Sequence, residues 1–216
     1  MNPALGNALR SGFLLFAFAV LGTGILAYTY HLTRGIIAAS EEREKLALVT
    51  QALPPQWFDN DLLADAIELP PTEELGTPEP SLVYRARLKG QPSALVFEAV
   101  APDGYGGRIR LLVAVKVNGE VAGVRVVTHN ETPGLGDYID AARSDWIHVF
   151  EGTSLAGTPP MQWKVQKDGG VFPYRAGATI TARAVVKAVQ RTLSFYQKEG
   201  TALFERPTHM RKESRR

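Results

Sequence analysis

Three glycine-containing segments hold the residues whose types and spacing could do chemistry. They are GYGGRI at residues 104–109, THNETPGLG at 128–136 and AGATIT at 176–181. Taken singly, each is explained by a turn, a Pro–Gly loop or the entry to a helix, since glycine marks turns far more often than binding sites. However, each lies at the end of a predicted strand or the start of a predicted helix, where binding residues collect on a scaffold. We therefore treat them as one candidate site.

The third segment has the residue types that suit a phosphate. Gly177 lacks the Cβ that would obstruct a ligand approaching the backbone, and Thr179 follows two residues later, just ahead of a predicted helix. A helix N-terminus presents unpaired N–H groups and the positive end of the helix dipole, which favour a phosphate. A hydroxyl at that place could accept a phosphoester bond, which would fix a phosphorylated cofactor without cysteine or histidine.

The composition excludes several other redox and metal chemistries. The 216 residues include no cysteine, which excludes Fe–S ligation, c-type haem attachment and a thiol-linked flavin. The four histidines are scattered without the spacing of a catalytic zinc site. We therefore predict no catalytic residue and no metal ligand, so that an organic cofactor must carry any electrons. The net charge of +2 argues neither for nor against nucleic acid, and we expect no nucleic-acid partner.

An uncharged segment near the N-terminus predicts a membrane helix. The 23 residues between Arg10 and Arg34 contain no Asp, Glu, Lys or Arg. A helix of this length crosses about 30 Å of hydrocarbon. The alternative is a cleaved signal peptide, but a secretory hydrophobic region is usually shorter, and no small-x-small site directly follows Tyr30. We predict a retained transmembrane helix over residues 11–33.

Charge alone leaves the membrane orientation nearly undecided. Arg10 and the α-amino group lie on one flank, while Arg34, Arg43 and Lys45 lie on the other among three glutamates. Acidic residues count for little in the positive-inside rule. A very short N-terminus ahead of a large C-terminal domain is compatible with export of that domain.

The rest of the chain predicts an α+β domain with a mostly antiparallel sheet and flanking helices. A helix over residues 36–52 is stopped by Pro54 and Pro55, and the Pro-rich, acidic stretch 70–80 is predicted to be a surface loop. Asn118-Gly119 is a strong hairpin signal. The predicted strands are residues 81–88, 93–101, 109–117 and 121–129.

Helical patterns dominate the C-terminal part. The predicted elements are a mainly helical stretch at 137–150, a short strand at 162–166 and a helix at 182–199. Gly200 is placed to end this helix and Thr181 to cap its N-terminus. Trp146 is expected to pack in the core. The basic residues after the helix, Arg206, Arg211, Lys212, Arg215 and Arg216, predict a solvated tail, with lipid headgroups or a partner subunit as the alternative.

Together, GYGGRI, HNETPGLGDYI and GATIT followed by ARAVVKAV resemble the FMN-binding domain of the G subunit of the Rnf complex. The C subunit of sodium-translocating NADH:quinone oxidoreductase has a similar domain, but the chain length and the TPGLGD segment favour Rnf. The similarity runs from about residue 82 to about residue 196, and the single N-terminal anchor agrees with it. The resemblance implies FMN as the cofactor, a periplasmic domain anchored in the bacterial inner membrane, and the other Rnf subunits as partners.

The resemblance also implies how the FMN is held. In that family, a flavin transferase links FMN through its phosphate to the threonine that ends a Ser/Thr-Gly-Ala-Thr motif. Matched residue by residue, that threonine is Thr179, preceded by Gly177 and Ala178. The sequence departs from the family at Pro173, where an Asp is usual, and at Ala176, where Ser or Thr is usual. Tight non-covalent FMN and a purely structural Thr179 are therefore the alternatives.

Residues of the other two segments are predicted to contact the flavin. The glycines of the first segment would let the backbone approach, with Tyr105 against the ring, and the second segment would line the isoalloxazine and tune its potential. These predicted residues are Gly104, Tyr105, Gly106, Gly107, His129, Glu131, Thr132, Leu135 and Gly136. A covalent bond at His129 is a further possibility, although a loop histidine is the commoner role. Arg175 and Lys187 could offset phosphate charge, although solvated positions are the default for both.

The implied function is an electron-relay subunit of an oxidoreductase that couples electron transfer between ferredoxin-type donors and NAD to ion translocation. No complete reaction is expected from the isolated chain, and no Gly-x-Gly-x-x-Gly lies between a strand and a helix to bind NAD. The alternative is a membrane-anchored binding or scaffolding subunit without a working covalent flavin.

The predicted divisions are a short cytoplasmic N-terminus at 1–10, the membrane helix at 11–33, a juxtamembrane helix and Pro-rich connector at 34–80, the FMN-binding domain at 81–200 and a basic tail at 201–216.

Overall fold

A computed structural model describes residues 3–208, with side chains described from residue 9 onward except at 35–39 and 41–42. The basic residues predicted for the tail, other than Arg206, lie outside the described residues; they are Arg211, Lys212, Arg215 and Arg216. The chain divides between Lys45 and Leu46 into two compact units, which are taken separately below.

The N-terminal unit is helical. Helix α1 runs from Pro3 to Ala52, and its segment Leu9–Arg34 has a mean hydropathy of 1.9. The hydroxyls of Thr29 and Thr33 donate to the carbonyls of Ile25 and Thr29, each at 2.9 Å, so these polar groups are paired within the helix. Leu9–Arg34 is the described segment that is long and apolar enough to cross a membrane, in agreement with the span predicted for residues 11–33.

The C-terminal unit is built on a five-stranded antiparallel sheet in the order β1-β2-β3-β4-β5. The strands are β1 Ala66–Leu69, β2 Ser81–Leu88, β3 Gln91–Gly104, β4 Gly107–Lys116 and β5 Val121–Thr128. Four of these five strands were predicted, whereas the short β1 was not. At the outer edge of β5, the Val121 N–H donates to Thr153 O at 2.8 Å, and the Gly152 N–H donates to Val121 O at 2.9 Å. The architecture confirms the α+β prediction.

Each face of the sheet has its own apolar core. On one face, helix α2, Thr179–Leu203, packs with the segments between β5 and α2. On the other face, the last turn of α1 contributes Val49 and Ala52, followed by Leu53, and all three are buried. A Cβ at Gly123 of β5 would collide with the carbonyl oxygen of Ala52, so glycine permits this close approach. The end of α1 is therefore part of the folded domain.

The region between β5 and α2 differs from its prediction. Instead of one mainly helical stretch it contains two 3-10 helices, Asp137–Ile139 and Asp145–Phe150, and the Ser144 hydroxyl caps the second by accepting from Trp146 N at 3.2 Å. The strand predicted at 162–166 is wrong. Two further 3-10 helices, Pro160–Gln162 and Gln166–Asp168, flank this stretch, and between them Val165 forms an isolated parallel bridge with Phe172.

Two further predictions need correction. The stretch 70–80 is not only a surface loop, because Leu75 is buried in the core and its carbonyl accepts from Val100 N at 2.7 Å. Gly200 does not end α2, which continues to Leu203. A Cβ at Gly200 would lie 2.5 Å from the Tyr196 ring, so this glycine makes room for an aromatic side chain one turn earlier.

Candidate functional site

The structure brings the three predicted segments together at one buried carboxylate. Glu131, in the loop after β5, is only 4% exposed. Its Oε1 accepts from the Gly106 N–H at 3.0 Å, and its Oε2 accepts from the Thr181 hydroxyl at 2.5 Å. The β3–β4 hairpin tip, the loop after β5 and the first turn of α2 therefore meet at a single side chain.

The hairpin tip is a two-residue turn that presents an aromatic ring. β3 and β4 pair as far as Gly104 and Gly107, so Tyr105 and Gly106 form the turn. A Cβ at Gly106 would collide with the carbonyl oxygen of Asn130, so glycine lets the tip approach the neighbouring loop. The Tyr105 side chain is 67% exposed and is free to contact a ligand.

The loop after β5 contains a tight turn beside the start of α2. The Leu135 N–H donates to Thr132 O at 3.1 Å, and Gly134 has a φ of +75°. With Pro133 in the second position, these are the features of a type II turn. A Cβ at Gly177 would lie 3.2 Å from Leu135 Cδ1, so the turn sets an exposed leucine against the glycine before α2.

Two predicted ring-lining residues are engaged within this loop. His129 is half-buried, and its Nδ1 accepts from the Glu131 N–H at 3.1 Å. Gly136 is buried, and a Cβ there would lie 2.8 Å from Glu131 Oε2. Thr132, by contrast, is exposed. His129 and Gly136 thus shape the loop around Glu131, while Thr132 and Leu135 face outward.

The two threonines at the start of α2 have different environments. Thr179 is the first residue of the helix and is 8% exposed. Within residues 3–208 its hydroxyl has no hydrogen-bond partner. The hydroxyl is not one of the fully buried side-chain atoms that lack a partner, so it remains accessible to solvent. Thr181 is fully buried and its hydroxyl is occupied by Glu131. The N-cap role predicted for Thr181 is wrong, because the helix begins two residues earlier and Ala178 is the N-cap residue.

The N-terminus of α2 carries partial positive charge, and the two basic residues predicted to offset phosphate charge differ in whether they are already paired. No side chain caps the first turn of α2, so its leading N–H groups remain available to an anion. Lys187, predicted to offset a phosphate, has its Nζ 3.1 Å from Asp103 Oδ2. Arg175 is exposed, stacks 4.8 Å from the Tyr138 ring centroid and makes no ion pair within residues 3–208. Arg175 is therefore the better placed of the two to meet additional negative charge.

The segment ahead of α2 is held through its backbone. Trp146 packs in the core, as predicted, and its Nε1 donates to Pro173 O at 2.8 Å. The Ala178 N–H donates to Arg175 O at 3.1 Å, and Gly177 adopts a φ of +87°. Position 173 thus contributes a carbonyl that any residue type supplies, while Ala176 is exposed. The local structure around Thr179 does not depend on the side chains that the family usually has at these two positions.

Comparisons with known proteins identify the family that the chain resembles over most of its length. The chain matches the FMN-binding domain family over residues 104–194, which includes all three segments, and the RnfG N-terminal region over residues 1–52. It is 42% identical over 202 residues to the G subunit of the ion-translocating oxidoreductase complex of Vibrio atlanticus, covering 93% of this chain and 96% of the relative. The corresponding protein of Shewanella oneidensis is 42% identical, with 95% of each chain covered, and that of Pseudomonas aeruginosa is 44% identical, with 88% and 89% covered.

Proposed function

The chain belongs to the family of G subunits of ion-translocating oxidoreductase complexes, and from this membership we propose that it is an electron-relay subunit with FMN bound covalently at Thr179. Its FMN-binding domain and the one candidate membrane span within residues 3–208 indicate a single-pass membrane flavoprotein of such a complex. In the proposal, the complex transfers electrons between ferredoxin-type donors and NAD and couples this transfer to ion movement. Bound FMN supplies the one-electron chemistry.

The unengaged hydroxyl of Thr179 is the observation that carries the proposal. It lies on the first residue of an uncapped helix, where N–H groups and the helix dipole stabilise a phosphodiester. Gly177, which has no Cβ, leaves the approach on that side open except for Leu135. The bond would join Thr179 Oγ1 to the FMN phosphorus of a flavin donor that carries a diphosphate linkage. The Thr179 hydroxyl would lose its proton, the P–O bond to the second phosphate would break, and the rest of the donor would depart as a monophosphate. A flavin transferase would catalyse this step.

Three further residues of the candidate site have chemistry that suits the remainder of the cofactor. Arg175 is available for the phosphate charge, and the exposed side chains of Tyr105 and Leu135 offer apolar surface to a planar ring. A scaffolding subunit without flavin is supported only by the departures at Pro173 and Ala176. The segment ahead of Thr179 is nevertheless held without those side chains, because Trp146 Nε1 donates to the backbone carbonyl of Pro173.

We expect the full-length protein, co-expressed with a flavin transferase, to have an intact mass greater than its sequence mass by one FMN less one water. The yellow chromophore should remain with the protein after denaturation and precipitation. Release of the flavin on denaturation would contradict covalent attachment and would indicate tight non-covalent binding. A colourless protein under the same conditions would support the scaffolding alternative.

We also propose that the folded domain, which follows the candidate span, lies in the periplasm, on the basis of the family's arrangement. Protease added to intact spheroplasts should then digest the domain. Protection of the domain until the membrane is lysed would place it in the cytoplasm.

A further inference from the structure

The surroundings of Glu131 fit its carboxylate closely. Besides the two hydrogen bonds from Gly106 and Thr181, a Cβ at Gly104 would lie 2.8 Å from Oε1, and a Cβ at Gly136 would lie 2.8 Å from Oε2. Both carboxylate oxygens act as acceptors, and the residue is only 4% exposed. Burying a carboxylate is costly unless such partners are present. The Glu131 carboxylate is therefore held by contacts from both the hairpin tip and the first turn of α2.

We propose that Glu131 is a positioning residue that couples the hairpin tip to the first turn of α2, so that the two ends of the flavin site are held in register. The part of this inference that concerns flavin rests on the proposed function. Glu131 itself contacts neither Thr179 nor Tyr105 through a hydrogen bond and acts through their chain neighbours.

Through their neighbours in the chain, Glu131 fixes the positions of Tyr105 at the hairpin tip and Thr179 at the start of α2. Gly106 directly follows Tyr105 in the two-residue turn, and Thr181 lies two residues after Thr179 in the first turn of α2. Displacement of the carboxylate would therefore move the proposed phosphate acceptor relative to the exposed tyrosine ring. A misplacement of about 1 Å is enough to slow a positioned reaction about a hundredfold.

Three substitutions separate positioning from simple packing. Thr181→Val keeps the volume and removes the hydroxyl that donates to Glu131, whereas Thr181→Ser keeps the hydroxyl and removes a methyl group. Thr192→Val is the matched control, because Thr192 is another fully buried threonine of α2 whose hydroxyl donates to a backbone carbonyl, Ala188 O at 3.0 Å.

The experiment measures backbone hydrogen exchange at Gly106 and the initial rate of flavin incorporation in the full-length protein in detergent. We expect Thr181→Val to accelerate Gly106 exchange roughly tenfold, since a hydrogen bond to a charged group is weakened, and to slow flavin incorporation several-fold. Thr181→Ser and Thr192→Val should leave both quantities close to wild type.

Two results would overturn the inference. One is unchanged Gly106 exchange in Thr181→Val, and the other is an equal acceleration in Thr192→Val, which would indicate general loosening of α2. Gly106 exchange is read without flavin, so a wild-type protein that never acquires FMN would refute the proposed function while the exchange data still decide the role of Glu131.

Discussion

Thr179→Ala is expected to abolish covalent attachment of FMN, whereas Thr181→Ala retains it. The Thr179 hydroxyl is unengaged at the positive end of α2, while the Thr181 hydroxyl is buried and donates to Glu131. Only the first can reach an incoming flavin nucleotide without the loss of an existing hydrogen bond. The Thr181→Ala protein should be labelled more slowly, because the link to the hairpin tip is lost, but to the same final extent.

In-gel flavin fluorescence of both variants, expressed with a flavin transferase, measures this difference, and peptide mass mapping locates the modification. Thr181→Ala should also lower the free energy of unfolding by about 1.5–3 kcal/mol, the range for a hydrogen bond to a charged group. A lost N-cap would cost only about 1 kcal/mol. Fluorescence that persists in Thr179→Ala and disappears in Thr181→Ala would move the acceptor to Thr181.

Removal of residues 1–34 is expected to leave a folded, soluble domain, whereas removal of residues 1–53 should prevent folding. The longer deletion takes away Val49, Ala52 and Leu53, which are buried against the sheet. Burial of a valine or leucine side chain contributes about 1.5–3 kcal/mol. Their combined loss, with the exposure of the sheet surface beneath them, approaches the whole stability of a typical domain, about 5–15 kcal/mol.

Circular dichroism melts of the two fragments test this boundary. The 35–216 fragment should show a cooperative transition, and the 54–216 fragment should show none or should aggregate. If both fragments melted cooperatively at the same temperature, the end of α1 would be dispensable. Aggregation of the longer fragment would instead count against a self-contained domain.

The sequence predicted the elements whose signals are local. The Val, Leu and aromatic residues of β2, the Asn118-Gly119 turn and the helical spacing along α2 are all local signals, so these elements were found within a few residues. β1 was missed because four residues are too few to show a period. The strand predicted at 162–166 failed because its apolar residues, Trp163 and Val165, fill the core from the short connection between two 3-10 helices.

The geometry of the candidate site could not be predicted, because it depends on long-range contacts that no local sequence pattern encodes. The three segments were identified from their residue types, but Glu131 meets Gly106 and Thr181 across separations of 25 and 50 residues. Nothing in the loop sequence distinguishes an acid that lines a ligand from one that is buried under it. Thr181 was assigned a capping role for the same reason, since a threonine near a helix start is usually explained by the helix itself.

The edges of the sheet limit how partner subunits can dock. In this order of strands the edges are β1, which has only four residues, and β5. On β5, the backbone N–H and carbonyl of Val121 are hydrogen-bonded to Thr153 and Gly152, and the Arg125 guanidinium donates to Val124 O at 2.7 Å. Long, unprotected edges invite strand addition by another chain and aggregation. Because both edges are short or obstructed, neighbouring subunits should recognise this domain through side chains and loops rather than by extending its sheet.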